Sequence, residues 1–168
     1  SVLRASGAPE AQIAAAVETN REIYAIALEE KDTAKASARI REILKGKGMP
    51  QNETDPQVAQ LLSPWFRFFL GHDPSHDIAQ LRMPVLALNG GTDVQVPAEP
   101  NLAAIRSALQ AGGNRDFEAV SFPGLNHLMQ PSATGAVSEY GKIETTMDPA
   151  VLQKVSTWIL AHAHAGVK

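Results

Sequence analysis

The sequence lacks cysteine, long apolar runs and runs of like charge. Without cysteine, the chain has no disulfide, no thiolate metal site, no iron–sulfur cluster and no cysteine nucleophile. No apolar stretch reaches the roughly 20 residues of a transmembrane helix, so we expect no membrane span. The net charge is −3 and no run of like charge occurs, which argues against nucleic acid as a partner.

Two features of a complete N-terminus are also missing. No basic segment followed by an apolar one indicates a signal peptide, and the first residue is Ser1 rather than Met. We therefore expect a processed chain or a fragment of a longer protein. The compartment stays open, because both cytoplasmic and exported proteins can lack cysteine.

What is present is the composition of a globular protein. Of the 168 residues, 44% are apolar and 20% are charged, which predicts one domain or at most two. In residues 1–76, apolar side chains recur at helical spacing from Ile13 to Leu28 and from Ala36 to Leu44. This part of the chain is predicted to consist of consecutive helices.

Residues 77–168 alternate between strand and helix signals. The apolar run Pro84–Asn89 lies between proline and glycine and predicts a buried strand, and 116–122 predicts a second strand. A helix over 98–110 connects them, and another helix follows Asp148. A strand, helix and strand in this order predict a parallel sheet, and hence an α/β fold class.

Two strands do not complete such a sheet. Parallel sheets usually contain several strands and are covered on both faces. At least one strand would therefore expose unpaired backbone groups, which tend to recruit another strand. We expect the missing strands to come from a longer protein or from another chain, and a homo-oligomer through the exposed sheet edge is one form of this.

Two motifs place reactive side chain types at the strand ends. Gly90-Gly-Thr-Asp93-Val-Gln-Val-Pro97 follows the first strand, and Pro123-Gly-Leu-Asn-His127 follows the second. The carboxyl ends of neighbouring parallel strands meet at one edge, so we expect Asp93 and His127 within or near hydrogen-bonding reach. A carboxylate beside an imidazole is the orienting half of a catalytic triad. The alternative is a turn aspartate and a loop histidine with structural roles.

Both motifs resemble those of the α/β-hydrolase superfamily, in particular its bacterial serine aminopeptidase and esterase-like branch. The likeness is sharp over residues 84–97 and 122–128, and the chain order of acid before histidine also matches. The resemblance implies that Asp93 is the triad acid and His127 the triad base. It also implies a small ester or peptide substrate and no metal or organic cofactor.

One part of the family's pattern is missing, because no Gly-x-Ser-x-Gly occurs in the sequence. The resemblance implies the C-terminal part of an α/β-hydrolase fold. Residues 77–168 would be the last two parallel strands and their helices, and residues 1–76 would be a helical cap that precedes them. The nucleophilic serine would then lie in a missing N-terminal part, and the chain alone would be inactive. A second interpretation is a non-catalytic helical interaction module with a relic hydrolase end.

The other histidines are weaker candidates. His72 and His76 have the i, i+4 spacing of metal ligands, but Pro74 between them opposes a continuous helix, so we expect no metal site. His162 and His164 lie two residues apart near the C-terminus, where we expect a solvated helix end.

An aromatic cluster stands out because aromatic residues make up only 5% of the chain. It is too dense for one side of a helix, and we expect most of it to pack into the core. Its members are Trp65, Phe66, Phe68 and Phe69.

Overall fold

The computed structural model of the protein describes residues 2–163. None of the helices in this range combines the length and the apolar character that crossing a membrane requires. In chain order the elements are α1 (Val2–Ala5), α2 (Glu10–Glu29), α3 (Thr33–Gly46), α4 (Gln51–Leu61), α5 (Pro64–Gly71), α6 (Ser75–Ala79), β1 (Val85–Gly90), α7 (Ala98–Ala111), β2 (Phe117–Phe122), a 3₁₀ helix (Val137–Lys142) and α8 (Pro149–Ala163).

These elements form two compact units. The helical unit is Pro9–Asp73, and the sheet unit comprises the other described residues, 2–8 and 74–163. The boundary predicted between residues 76 and 77 falls inside α6, which belongs to the sheet unit.

Side chains cap two helices of the helical unit. Asp32 caps α3 by accepting hydrogen bonds from the N–H groups of Ala34 and Lys35, and Ser63 caps α5 by accepting one from the N–H of Phe66.

The helical unit has a hydrophobic core of its own. Apolar residues three or four positions apart share one side of a helix, and these sides are buried together. The core residues are Ile23, Ile26, Ala27, Ala36, Ile40, Leu44, Val58, Leu61 and Leu62.

Most of the aromatic cluster lies outside this core. Phe66 packs against it, whereas Trp65, Phe68 and Phe69 are 66%, 67% and 60% exposed. The expectation that most of the cluster is buried is therefore wrong. Because side chains point outward all round a helix, α5 directs Phe66 to the core and its neighbours in sequence elsewhere.

The sheet unit contains one small parallel sheet. β1 pairs with β2 in parallel, from Val85 opposite Phe117 to Gly90 opposite Phe122, and α7 connects the strands and packs on both. Both strands therefore end at the same edge. Among the described residues each strand has one partner, so each has an unpaired outer edge. The homo-oligomer through this edge stays a prediction.

The expected α/β fold class is wrong. The described chain is about 60% helix and 9% strand, and its sheet has only two strands. An α/β fold needs several adjacent parallel strands with helices on both faces. The strand, helix and strand pattern occurs once in this chain, and its other periodic segments are helices. The structure is that of a helical protein with a small parallel sheet, rather than the C-terminal part of an α/β-hydrolase core.

Candidate functional site

Asp93 lies in the turn that follows β1, and the backbone of that turn holds its carboxylate. Oδ1 accepts hydrogen bonds from the N–H groups of Gln95 (2.9 Å) and Val96 (2.8 Å). The Asp93 side chain is only 4% exposed. Because Oδ1 is occupied by the turn, Oδ2 is left for other partners.

His127 is one of those partners. Its Nδ1 lies 2.8 Å from Oδ2 of Asp93, which confirms the expected proximity of the two side chains at the sheet edge. A carboxylate only accepts hydrogen bonds, so the hydrogen lies on Nδ1 and a neutral ring carries its lone pair on Nε2. Nε2 has no hydrogen-bond partner among residues 2–163. The ring can therefore take a proton at Nε2 while Asp93 holds it from the other side.

A tight turn presents His127, and the fully buried Asn126 organises it. Oδ1 of Asn126 accepts hydrogen bonds from the N–H groups of Leu128 (2.9 Å) and Gln130 (3.0 Å), and Nδ2 donates to Oε1 of Gln130 (3.2 Å). Met129 has a φ of 58°, a left-handed conformation that is costly for a residue with a side chain. Side-chain hydrogen bonds hold this turn where regular secondary structure is lacking.

The turn that carries Asp93 is connected at several points to the segments before and after His127. The hydroxyl of Thr92 donates to the carbonyl of Leu125 (2.8 Å), and Nε2 of Gln95 donates to the hydroxyl of Tyr140 (2.8 Å). Gly135 lies so close to Thr92 that a Cβ on it would be 1.7 Å from the Thr92 carbonyl oxygen. These contacts fix the two halves of the site to each other.

The carboxylate of Glu139 closes the loop that packs on this turn. It accepts hydrogen bonds from the hydroxyl groups of Ser132 and Thr134, the latter at 2.7 Å. These hydrogen bonds lower the pKa of Glu139, and the bond from Ser132 contributes most. Glu139 therefore supports the loop in its charged form.

A cleft of about 220 Å³ opens beside the pair. Apart from the acid, the imidazole and one amide, its walls are apolar, which is the usual character of a small-molecule site. It is lined by Leu88, Asn89, Asp93, Val96, His127 and Met129.

Two amides of this site were not among the residues predicted from the sequence. Nδ2 of Asn89 donates to Oδ2 of Asp93 (3.3 Å) and to the carbonyl of Val96 (2.9 Å), and Asn126 organises the histidine turn. Asn89 ends an otherwise apolar run, and a buried amide there needs nearby hydrogen-bond partners. An amide residue at the end of an apolar run is the sequence signal that could have identified Asn89.

Comparison of the chain with known protein families, with curated proteins and with solved structures found no match. The geometry of the site and the resemblance of its two motifs are therefore the basis for its chemical interpretation.

The other histidines that the structure describes are not part of a metal site. Among residues 2–163, no group of three or more histidine, aspartate or glutamate side chains is placed to hold a metal ion. His72 follows α5 and stacks on Phe68, with ring centroids 5.0 Å apart, and His76 lies in α6. His164 lies outside the described residues.

His162 connects α8 to the residue before β2. Its Nδ1 lies 2.8 Å from the carbonyl oxygen of Trp158, and its Nε2 lies 3.1 Å from Oδ1 of Asp116. Only a protonated ring donates from both nitrogens. The pKa of His162 is raised, mostly by the hydrogen bond to the Trp158 carbonyl and to a smaller extent by Asp116. The side chain is 24% exposed, so His162 is a partly buried and hydrogen-bonded residue at an otherwise exposed helix end.

This contact predicts a stability that falls at high pH. A raised pKa adds stability that is fully present below 6.5, the ordinary pKa of histidine, and is lost as the pH rises through the folded-state pKa. Replacing His162 with Gln should therefore lower the urea midpoint more at about pH 5.5 than at about pH 9. Equal effects at the two pH values would contradict this role.

Proposed function

We propose that Asp93 and His127 are the acid and the base of a serine hydrolase that cleaves ester or amide bonds. In this proposal the nucleophilic serine lies on a polypeptide segment outside the chain. The observation that carries the proposal is the 2.8 Å contact between Nδ1 of His127 and Oδ2 of Asp93, with Nε2 unpaired among the described residues. In a serine triad the carboxylate binds Nδ1–H, and Nε2 takes the serine proton.

The proposed reaction moves one proton through His127. Nε2 accepts the serine hydroxyl proton while the serine oxygen attacks the carbonyl carbon of the substrate. The imidazolium that forms is stabilised by Asp93 through Nδ1–H. His127 then returns the proton to the leaving alcohol or amine, and in the second half it activates water to release the acyl group. The oxyanion donors, like the serine, would come from another segment.

The cleft beside the pair supports an uncharged group next to the reacting atoms. Leu88, Val96 and Met129 form its apolar walls. A charged group would lose hydration there, and both oxygens of the Asp93 carboxylate already have hydrogen-bond partners. We therefore infer that the part of the ester or amide substrate that lies in this cleft is uncharged. The proposed steps use no metal or organic cofactor.

Labelling with a fluorophosphonate, which modifies an activated serine, tests the proposal. The chain alone should be neither labelled nor active on p-nitrophenyl esters, because it contains no Gly-x-Ser-x-Gly. Loss of a single oxyanion donor costs about 10²–10³-fold in other enzymes, so His127 acting directly on water should give no measurable turnover. A longer polypeptide, encoded by the same reading frame extended upstream to include such a motif, should show labelling and turnover.

Two outcomes would contradict the proposal. One is stoichiometric labelling of the chain alone, and the other is an extended polypeptide that is inert towards esters, amides and the probe. The second outcome would favour the non-catalytic interaction module. The observation that fits this alternative is the exposure of Trp65, Phe68 and Phe69 on α5, because exposed apolar patches commonly mark interaction surfaces.

A further inference from the structure

The end of β1 carries a buried amide that the proposed reaction steps do not use. Asn89 is 9% exposed and follows the apolar residues Val85–Leu88. A buried amide without hydrogen-bond partners destabilises a fold. The partners of Asn89 are found in the turn that follows β1.

The amide of Asn89 connects the strand end to the turn that carries Asp93. Nδ2 donates to the carbonyl of Val96 at 2.9 Å and to Oδ2 of Asp93 at 3.3 Å. A contact with the Gly90 carbonyl is longer, at 3.4 Å. Since Nδ2 carries two hydrogens, the two shorter contacts account for both.

The two carboxylate oxygens of Asp93 are thus held by different groups. Oδ1 is held by the turn's own N–H groups, whereas Oδ2 is shared by Asn89 and His127. Both oxygens turn together about the Cβ–Cγ bond, so the N–H groups on Oδ1 already restrict the swing that would move Oδ2 away from the imidazole. The donor on Asn89 opposes that swing.

We propose that Asn89 is a positioning residue that acts through Asp93. By holding Oδ2 opposite Nδ1 of His127, it keeps the ring hydrogen on Nδ1 and the lone pair on Nε2. The inference rests on the proposed role of the acid–base pair. Its test measures the imidazole in the chain itself, without any hydrolysis, so it can fail while the hydrolase proposal stands, and the reverse also holds.

Nitrogen-15 NMR of the His127 ring in the Asn89→Leu variant tests the proposal. Leucine has the same number and branching of side-chain heavy atoms as asparagine and removes both donors. The Nδ1–H proton should exchange with water at least ~10-fold faster than in the unaltered chain, as expected for weakening a hydrogen bond to a charged group. The tautomer with hydrogen on Nε2 should also become populated. An imidazole spectrum and exchange rate identical to those of the unaltered chain would overturn the proposal.

Asn114 provides a matched control. It is also buried in the sheet unit, at 7% exposed, and its Nδ2 donates to the carbonyls of Leu81 (3.1 Å) and Met83 (3.0 Å). It has no hydrogen bond to Asp93 or His127. Asn114→Leu should lower the urea midpoint as Asn89→Leu does, yet leave the His127 ring unchanged. Equal loss of Nδ1–H protection in both variants would show general loosening and would overturn the specific role.

A measurement on the unaltered chain covers the case in which Asn89→Leu does not fold. The side-chain amide protons of Asn89 should exchange at least ~10-fold more slowly than those of the exposed Asn20, because they are hydrogen-bonded and buried. Exchange of the Asn89 amide at the rate of Asn20 would show that it does not hold Asp93, and would overturn the proposal.

Discussion

Replacing His127 with Ala in the extended, serine-bearing polypeptide is expected to lower the rate of p-nitrophenyl ester hydrolysis by about 10⁶-fold. This is the loss caused by removing the base of a serine triad in another enzyme. The reason is that Nε2 of His127 is the group proposed to take the serine proton, and alanine has nothing to replace it.

Replacing Asp93 with Asn is expected to cost about 10⁴-fold in the same assay. The reason lies in how the turn holds the side chain. Oδ1 accepts two backbone N–H groups, so the oxygen of an asparagine would take that position and its NH₂ group the place of Oδ2. That NH₂ would donate to Nδ1 of His127, which would put the ring hydrogen on Nε2 and leave no lone pair for the serine proton.

A second histidine–carboxylate pair controls for both variants. His162 and Asp116 lie 3.1 Å apart but outside the cleft beside His127. His162→Ala should leave hydrolysis within about twofold of the unaltered rate when measured well below the melting temperature. Losses smaller than about tenfold in His127→Ala or Asp93→Asn would exclude that residue from a triad.

Gly135→Ala is expected to destabilise the protein by about 3–4 kcal/mol, a large part of the stability of an ordinary domain. Gly135 has a φ of +73°, and a Cβ there would lie 1.7 Å from the Thr92 carbonyl oxygen. The loop would have to move away from the turn that holds Asp93. Urea unfolding should show the loss of stability, and the Nδ1–H proton of His127 should lose protection as the two halves of the site separate.

Gly124→Ala separates the two causes of this loss. Gly124 also has a φ of +73°, but nothing lies within 4 Å of a Cβ placed on it. Its substitution should therefore cost only the backbone penalty, about 1 kcal/mol. Similar losses for the two variants would mean that the close approach of Gly135 to Thr92 does not matter for stability.

Local signals in the sequence determined the elements that frame the site. The apolar run between Pro84 and Gly90 forms β1, because short apolar runs bounded by proline and glycine favour strands, and the alternating segment before Pro123 forms β2. One helix connects them, which makes them parallel neighbours with their ends at one edge. This is why the proximity of Asp93 and His127 could be predicted without a structure.

Tertiary structure alone decided the fold class and the support of the site. One strand, helix and strand pattern does not reveal how many strands a sheet has, because strands pair through backbone groups that carry no sequence signal. The exposure of Trp65 and the packing of Phe66 depend on which side of α5 meets the core. The hydrogen bond from Asn89 to Val96 crosses a turn, and the one between His162 and Asp116 joins residues that are distant in sequence. Such hydrogen bonds exist only once the backbone is folded, so composition and periodicity cannot predict them.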